Sequence, residues 1–90
     1  MYTVYIATLN GSYINVDQII QLYAIEYEGK DYIMAMYSDE TGEPIFEYTN
    51  NKEDLISSVI SIIASAKIQS ETIGNAIIID LAEQLEQSYT

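Results

Sequence analysis

The chain of 90 residues has no cysteine, histidine, tryptophan or arginine, and its only cationic side chains are Lys30, Lys52 and Lys67. Without cysteine it can form neither a disulfide nor a thiolate metal site. Without histidine and arginine it lacks the base that titrates near neutral pH and the planar group that clamps phosphates and carboxylates. These absences argue against an enzyme.

Glycine is also scarce, and the four glycines stand alone at positions 11, 29, 42 and 74. Neither phosphate-binding pattern, GxxxxGK[ST] or GxGxxG, is therefore present. The acids Asp39, Glu40 and Glu43 lie in one loop, but their spacing matches no calcium-binding loop, which favours a solvated turn. We therefore expect a non-enzymatic protein with no cofactor and no metal.

Negative charge is what the chain has in excess: 14 Asp and Glu face three lysines, for a net charge of -11. Direct binding to nucleic acid or to an anionic membrane needs clustered cations, and this chain has none. If charge selects a partner, that partner presents a basic surface, as nucleic-acid-binding proteins do. The alternative is that the acids only keep a small hydrophobic protein soluble.

Length and hydropathy predict one folded domain over residues 1–90, since 49% of the residues are hydrophobic. The most apolar segments, 55–66 and 76–82, are too short to cross a membrane. Residues 1–3 begin a strand pattern instead of a secretory signal. We expect a cytoplasmic protein, in the cytoplasm of the host cell if the chain is viral.

The first half of the chain has the pattern of β-strands, with β-branched and aromatic residues separated by turn residues. Asn10-Gly11 and the glycine at position 29 supply the positive φ that tight hairpins need. In the third run, Tyr23 and Tyr27 alternate to one face and Glu26 to the other. The predicted strands are 2–9, 13–16, 19–28, 32–37 and 45–49.

From residue 50 the period changes to that of helices. Asn50 is a suitable N-cap, and apolar residues recur at helical spacing from Leu55 to Ala66. A second helix is predicted to begin at Ser70 or Asn75 and to reach position 85. A short buried strand over 76–80 is an alternative, because isoleucine-rich runs suit both structures.

These elements predict an α+β fold. An antiparallel β-meander of about four strands, over residues 1–49, precedes two C-terminal α-helices, over residues 50–90. The helices would pack on one face of the sheet and form a two-layer sandwich. The other face would then be solvated or used for binding.

Tyrosine is the second compositional excess, with nine Tyr against one Phe. Tyrosine suits half-buried sheet surfaces, which is the structural explanation. Rings with a polar tip are also favoured where a partner buries a surface that must otherwise tolerate water. The candidate partner-binding tyrosines are Tyr23, Tyr27, Tyr32 and Tyr37.

Acids in the second half form a further candidate surface. Asp80, Glu83 and Glu86 recur every third residue with no lysine four residues away, so they repel one another on one side of the predicted helix. A solvated helix face explains them structurally, and a stripe recognised by a basic groove explains them functionally. The other candidate partner-binding acids are Glu26, Glu28, Asp39, Glu40, Glu43 and Glu47.

The predicted helices carry apolar stripes that are wide for one small sheet, which favours self-assembly as an alternative function. Such an oligomer, a dimer or larger, would offer subunit interfaces at which a small ligand or nucleotide signal is sequestered. Its interface would be the apolar face of the second helix, formed by Ile73, Ile77, Ile78, Leu81 and Leu85.

Two segments, 13–37 (YINVDQIIQLYAIEYEGKDYIMAMY) and 45–60 (IFEYTNNKEDLISSVI), resemble small acidic accessory proteins of bacteriophages and mobile elements. The shared pattern is a strand, an Asp-containing corner, a Gly-turned hairpin and an Asn-capped helix, over about two-thirds of the chain. It carries no catalytic residues. The resemblance implies an inhibitor of host defence, such as a DNA mimic or an anti-CRISPR protein that blocks a nuclease.

Overall fold

A computed structural model describes residues 3–48 and 55–89, with side chains as far as Leu85. The predicted cap at Asn50 and the strand ends at Tyr2 and Thr49 lie outside the described residues. A single 3-10 turn, Val16–Gln18, follows the second strand. The strands are β1 (Val4–Ala7), β2 (Tyr13–Asn15), β3 (Gln21–Tyr27), β4 (Lys30–Met36), β5 (Gly42–Tyr48) and β6 (Ile77–Ile79), and the helices are α1 (Leu55–Ile73) and α2 (Leu81–Tyr89).

The fold is α+β, as the sequence predicts, and β3, β4 and β5 form the expected antiparallel meander. The sequence-based prediction that the two strands before it belong to the same sheet is wrong. They belong to a second three-stranded sheet of order β2-β1-β6, in which β6 runs parallel to β1. The strand alternative for residues 76–80 is therefore confirmed, and it completes this second sheet.

The helices also differ from the prediction. The segment from Ser70 to Ile73 ends α1 instead of starting a second helix. Gly74 has φ +73° and its N–H bonds to the carbonyl of Ser70 at 2.9 Å, which is how a glycine in left-handed conformation ends a helix. The fully buried Ser70 hydroxyl donates to the carbonyl of Asn75 at 2.6 Å and closes the same turn.

The meander hairpin follows from its turn. Tyr27 pairs with Lys30, and the two residues between them, Glu28 and Gly29, have φ of 51° and 78°. Positive φ at both central positions is the type I′ geometry whose twist matches that of antiparallel strands. The β3–β4 register is thereby set from Tyr27 back to Gln21, which pairs with Met36.

The core lies between the inner faces of the two sheets and the helices. α1 contacts β1 and β6, whereas α2 contacts α1 and β5, so the helices do not form one layer on the meander. A backbone hydrogen bond from the Leu9 N–H to the Pro44 carbonyl, at 2.9 Å, joins the sheets. Another, from the Ile20 N–H to the Met36 carbonyl at 2.7 Å, extends the pairing of β3 with β4 beyond Gln21. The buried hydrophobic residues are Val4, Ile6, Ile14, Val16, Ile33, Ala35, Ile45, Tyr48, Leu55, Val59, Ala66, Ile79, Leu81 and Leu85.

Candidate partner-binding face

The two faces of the meander differ in burial at its central strand, β4. Ile33 and Ala35 of β4 are fully buried, so their face of the sheet is the one turned to the core. Neighbouring residues in a strand point to opposite faces, and cross-strand partners share a face. The opposite, open face, which we call the tyrosine face, includes Tyr23, Ile25, Tyr27, Tyr32, Met34 and Pro44, together with Lys30 and Glu47.

A shallow concavity of about 430 Å³ lies on this face. Its floor is Ile25, Tyr27, Tyr32 and Met34, and Asn10 from the β1–β2 turn forms part of its wall with Pro44. The bond from Leu9 N–H to Pro44 O brings that turn against β5. The concavity is thus built where the first sheet meets the open face of the meander.

Hydrogen bonds strengthen the junction beside the concavity. The hydroxyls of Thr8 and Ser12 are 2.7 Å apart, and the Ser12 hydroxyl donates to a carboxylate oxygen of Glu43 at 3.0 Å. The Ser12 N–H also bonds to the Thr8 hydroxyl, at 3.2 Å. Glu43 therefore ties the β1–β2 turn to β5, which gives this candidate partner-binding acid a structural role.

Three of the four candidate tyrosines lie on the tyrosine face. Tyr27 is 61% exposed and Tyr32 is half-buried. The hydroxyl of the half-buried Tyr23 lies over Gly42, where an added Cβ would come within 3.1 Å of it. Tyr37 is separate from them, because it follows β4 and packs against the hydrophobic core.

The candidate acids do not share one face with the tyrosines. Only Glu47 lies on the tyrosine face, directly across from Tyr32. Glu26, the partner of Asp31, points to the opposite face, and Glu28 lies in the hairpin turn. Asp39 and Glu40 are exposed in the loop between β4 and β5, at the other end of the hairpin. The structure thus places Glu47 on the tyrosine face, Glu28 at one end of the meander and Asp39 and Glu40 at the other.

The acids of the C-terminal segment are separate again. Asp80 precedes α2, and its carboxylate accepts a hydrogen bond from the Glu83 N–H at 3.3 Å, which makes it the N-cap of that helix. Glu83 is exposed in the first turn, and the side chain of Glu86 lies outside the described residues. Asp80 therefore has a structural role whether or not it contacts a partner.

The N-cap predicts a difference between two substitutions of Asp80. D80A removes the hydrogen-bond acceptor and is expected to lower the free energy of unfolding by about 1 kcal/mol, whereas D80N keeps a capping side chain and costs less. Urea unfolding of both variants measures this difference. Equal losses in D80A and D80N would contradict the capping role.

The candidate oligomer residues do not form a single helix face. Ile73 ends α1 and is 53% exposed, and Ile78 lies in β6 and is 61% exposed. Ile77, also in β6, is partly buried against the core. Leu81 and Leu85 are each 1% exposed, so they belong to the hydrophobic core of the protein itself. The predicted apolar stripe does not form, because residues 77–79 are the strand β6 and interrupt the predicted second helix.

A second concavity, of about 240 Å³, lies between α1, β6 and α2. Within the described residues, β6 pairs with β1 alone, so its other edge faces this groove. Sequence reasoning missed the groove because it exists only when residues 77–79 form a strand. Its lining carries no charged side chain: Ser61, Ile62, Ser65, Ala66, Gln69, Ile77, Ile78, Ile79 and Gln84.

Other kinds of site find no support in the described part of the chain. Across residues 3–48 and 55–85, no three acidic side chains converge where they would hold a metal ion. None of the helices described is both long and apolar enough to span a bilayer. Within the described residues, the tyrosine face and the groove at β6 each carry a concavity that could receive part of a partner.

Comparison with known proteins identifies no relative: no family model, curated protein or solved structure matches the chain. The function is therefore inferred from the chain's own residues and surfaces.

Proposed function

We propose that this protein is a non-enzymatic inhibitor that binds, through its tyrosine face, a basic surface of another protein. The proposed target is a nucleic-acid-binding defence protein of a bacterial host, such as a CRISPR nuclease, and the proposed compartment is the host cytoplasm. The observation that carries the proposal is the open face of the meander, where Tyr27 is 61% exposed in a chain of net charge -11.

The physical argument combines ring surface and charge. Tyrosine supplies a large contact area at low entropic cost, and its face attracts cations such as arginine side chains. The net charge of -11 attracts a basic partner, which raises the rate of association. A protein bound in this way occupies the surface that the target would offer to a nucleic acid, so inhibition is competitive.

The dependence of target binding on salt concentration tests this proposal. Because the attraction is between solvent-exposed charges, raising the salt concentration from about 0.05 M to 0.5 M is expected to weaken target binding by tenfold or more. The measurement is light scattering and DNA cleavage with a panel of purified basic defence nucleases. Release of nuclease activity at high salt supports the proposal. No salt-sensitive complex with any of them would contradict it.

Self-assembly is the second candidate function, and the open edge of β6 is what favours it. Ile77 N–H bonds to Thr3 O at 3.2 Å, so the backbone groups of the next residue, Ile78, point away from β1. A second copy could add a strand there, with no charge in the adjacent groove to oppose it, and the subunits could enclose a small ligand or nucleotide signal. A homo-oligomer that persists at high salt would favour this function.

A further inference from the structure

We propose that the concavity on the tyrosine face receives an arginine side chain of the partner, with its alkyl stem on Ile25 beside Tyr27 and its guanidinium over the Tyr32 ring, towards Glu47. This inference rests on the proposed function and specifies its recognition chemistry. It concerns the concavity of about 430 Å³ that the meander and the β1–β2 turn form together.

Ring positions follow from the strand register. Tyr32 lies in the middle strand, directly across from Ile25 on one side and Glu47 on the other. Tyr27, which pairs with Lys30, is the diagonal neighbour of Tyr32 on the same face. Diagonal neighbours in a sheet are about 7–8 Å apart, which lets two aromatic side chains flank a third group. Both tyrosines line the concavity, together with the apolar Ile25 and Met34.

The negative charge of Glu47 favours a cation next to the Tyr32 ring. Glu47 does not line the concavity, but it is the direct cross-strand partner of Tyr32. Cβ atoms of such partners are about 4.5–5.5 Å apart, so the Glu47 carboxylate is within reach of a cation held on the Tyr32 ring. A cation held on that ring face gains both the ring quadrupole and the carboxylate. Lys30 lies on the same face, but it pairs with Tyr27 at the hairpin end. The cation is therefore placed on the Glu47 side of Tyr32.

The shape of the site favours arginine over lysine. A guanidinium group is planar, stacks on an aromatic ring and donates two parallel hydrogen bonds to one carboxylate, while its alkyl stem packs on apolar side chains. One cross-strand row offers these three surfaces: Tyr32 provides the ring, Glu47 the carboxylate and Ile25 the apolar side chain. A lysine ammonium group is a compact, strongly hydrated charge, so it would gain the electrostatic attraction but neither the stacking nor the paired hydrogen bonds.

The test uses three versions of one short peptide, which carry arginine, lysine or the uncharged analogue citrulline at the same positions. Binding to the full chain is followed by NMR titration. Wild type is expected to bind the arginine peptide more tightly than the lysine peptide, and the citrulline peptide weakly. Y27L and E47Q are each expected to weaken binding of the arginine peptide by about fivefold.

Two matched variants separate this site from general attraction. E40Q removes the same charge as E47Q, from the loop at the other end of the hairpin. Y13L removes an equally exposed ring from the other sheet, since Tyr13 is 60% and Tyr27 is 61% exposed. E40Q and Y13L are expected to change the affinity by less than about twofold.

Each outcome decides between the inference and the proposed function. Equal weakening by E47Q and E40Q, or no preference for arginine over lysine, overturns the arginine site and leaves the proposed function standing. If wild type binds neither cationic peptide, the proposed function fails together with the inference. Thermal unfolding followed by circular dichroism checks that all four variants fold, which their exposed positions lead us to expect.

Discussion

Replacing Leu85 with Ala is expected to lower the free energy of unfolding by about 2–5 kcal/mol, because it leaves a cavity in the core. Leu85 is 1% exposed and lies in α2, the helix that contacts α1 and β5. The alternative function predicted from the sequence, self-assembly, gives this leucine a different role, as part of an oligomer interface. The two roles predict different dependence on protein concentration.

Urea unfolding at two protein concentrations separates these roles. If Leu85 is a core residue, the loss in L85A is the same at both concentrations, whereas an interface residue gives a loss that depends on concentration. L9A is the matched control, since Leu9 is 49% exposed. It is expected to change stability by no more than about 0.5 kcal/mol. A concentration-dependent loss in L85A would contradict the core assignment.

The second large effect is expected at Ile6, the fully buried residue of the central strand β1. Its cross-strand partners are Ile14 of β2 and Ile79 of β6, so all three strands of the second sheet meet at this side chain. I6A is expected to cost about 2–5 kcal/mol of unfolding free energy and to expose the amides of β6 to hydrogen exchange.

The control for I6A is I68A, because Ile68 is 70% exposed on α1. Its effect is expected to stay within about 0.5 kcal/mol, since an exposed helix position loses little burial and alanine is a better helix former. If I6A and I68A destabilise the protein equally, or if I6A leaves exchange at Ile77–Ile79 unchanged, the parallel pairing of β1 with β6 is wrong.

Local patterns were sufficient to predict the meander and its two faces. Alternation separates Tyr23, Ile25 and Tyr27 from Glu26, and the glycine after Glu28 marks the hairpin turn. Both features act between residues that are close in sequence. The tyrosine face could therefore be predicted, apart from Tyr37, although the side on which the helices pack could not.

Long-range pairing explains what the sequence did not predict. The run at 76–80 suits a helix or a strand, and its partner β1 lies at the other end of the chain. Gly74 would lie in the first turn of a second helix that begins at Ser70, whereas in the structure it ends α1. Asn10 gave no sequence signal as a site residue. It reaches the concavity only because the Leu9–Pro44 hydrogen bond brings two sheets together.

The positions of the individual acids say more about binding than the net charge does. A net charge of -11 predicts attraction to cations in general, but Asp80 caps α2 and Glu43 accepts a hydrogen bond from Ser12. Among the candidate acids, Glu47 alone shares the face that carries the exposed rings. Contact with a cation on the face is thus assigned to Glu47, and long-range attraction to the acids elsewhere. Substitutions can therefore remove one of these effects without the other.

The account depends most on the claim that a basic partner binds at the tyrosine face. The most direct test is to map NMR chemical-shift changes along the backbone when the arginine peptide is added to the wild-type chain. We expect the largest changes at Ile25, Tyr32 and Glu47, the row that crosses the meander. Changes concentrated in α2, or spread evenly over all the acids, would contradict the claim.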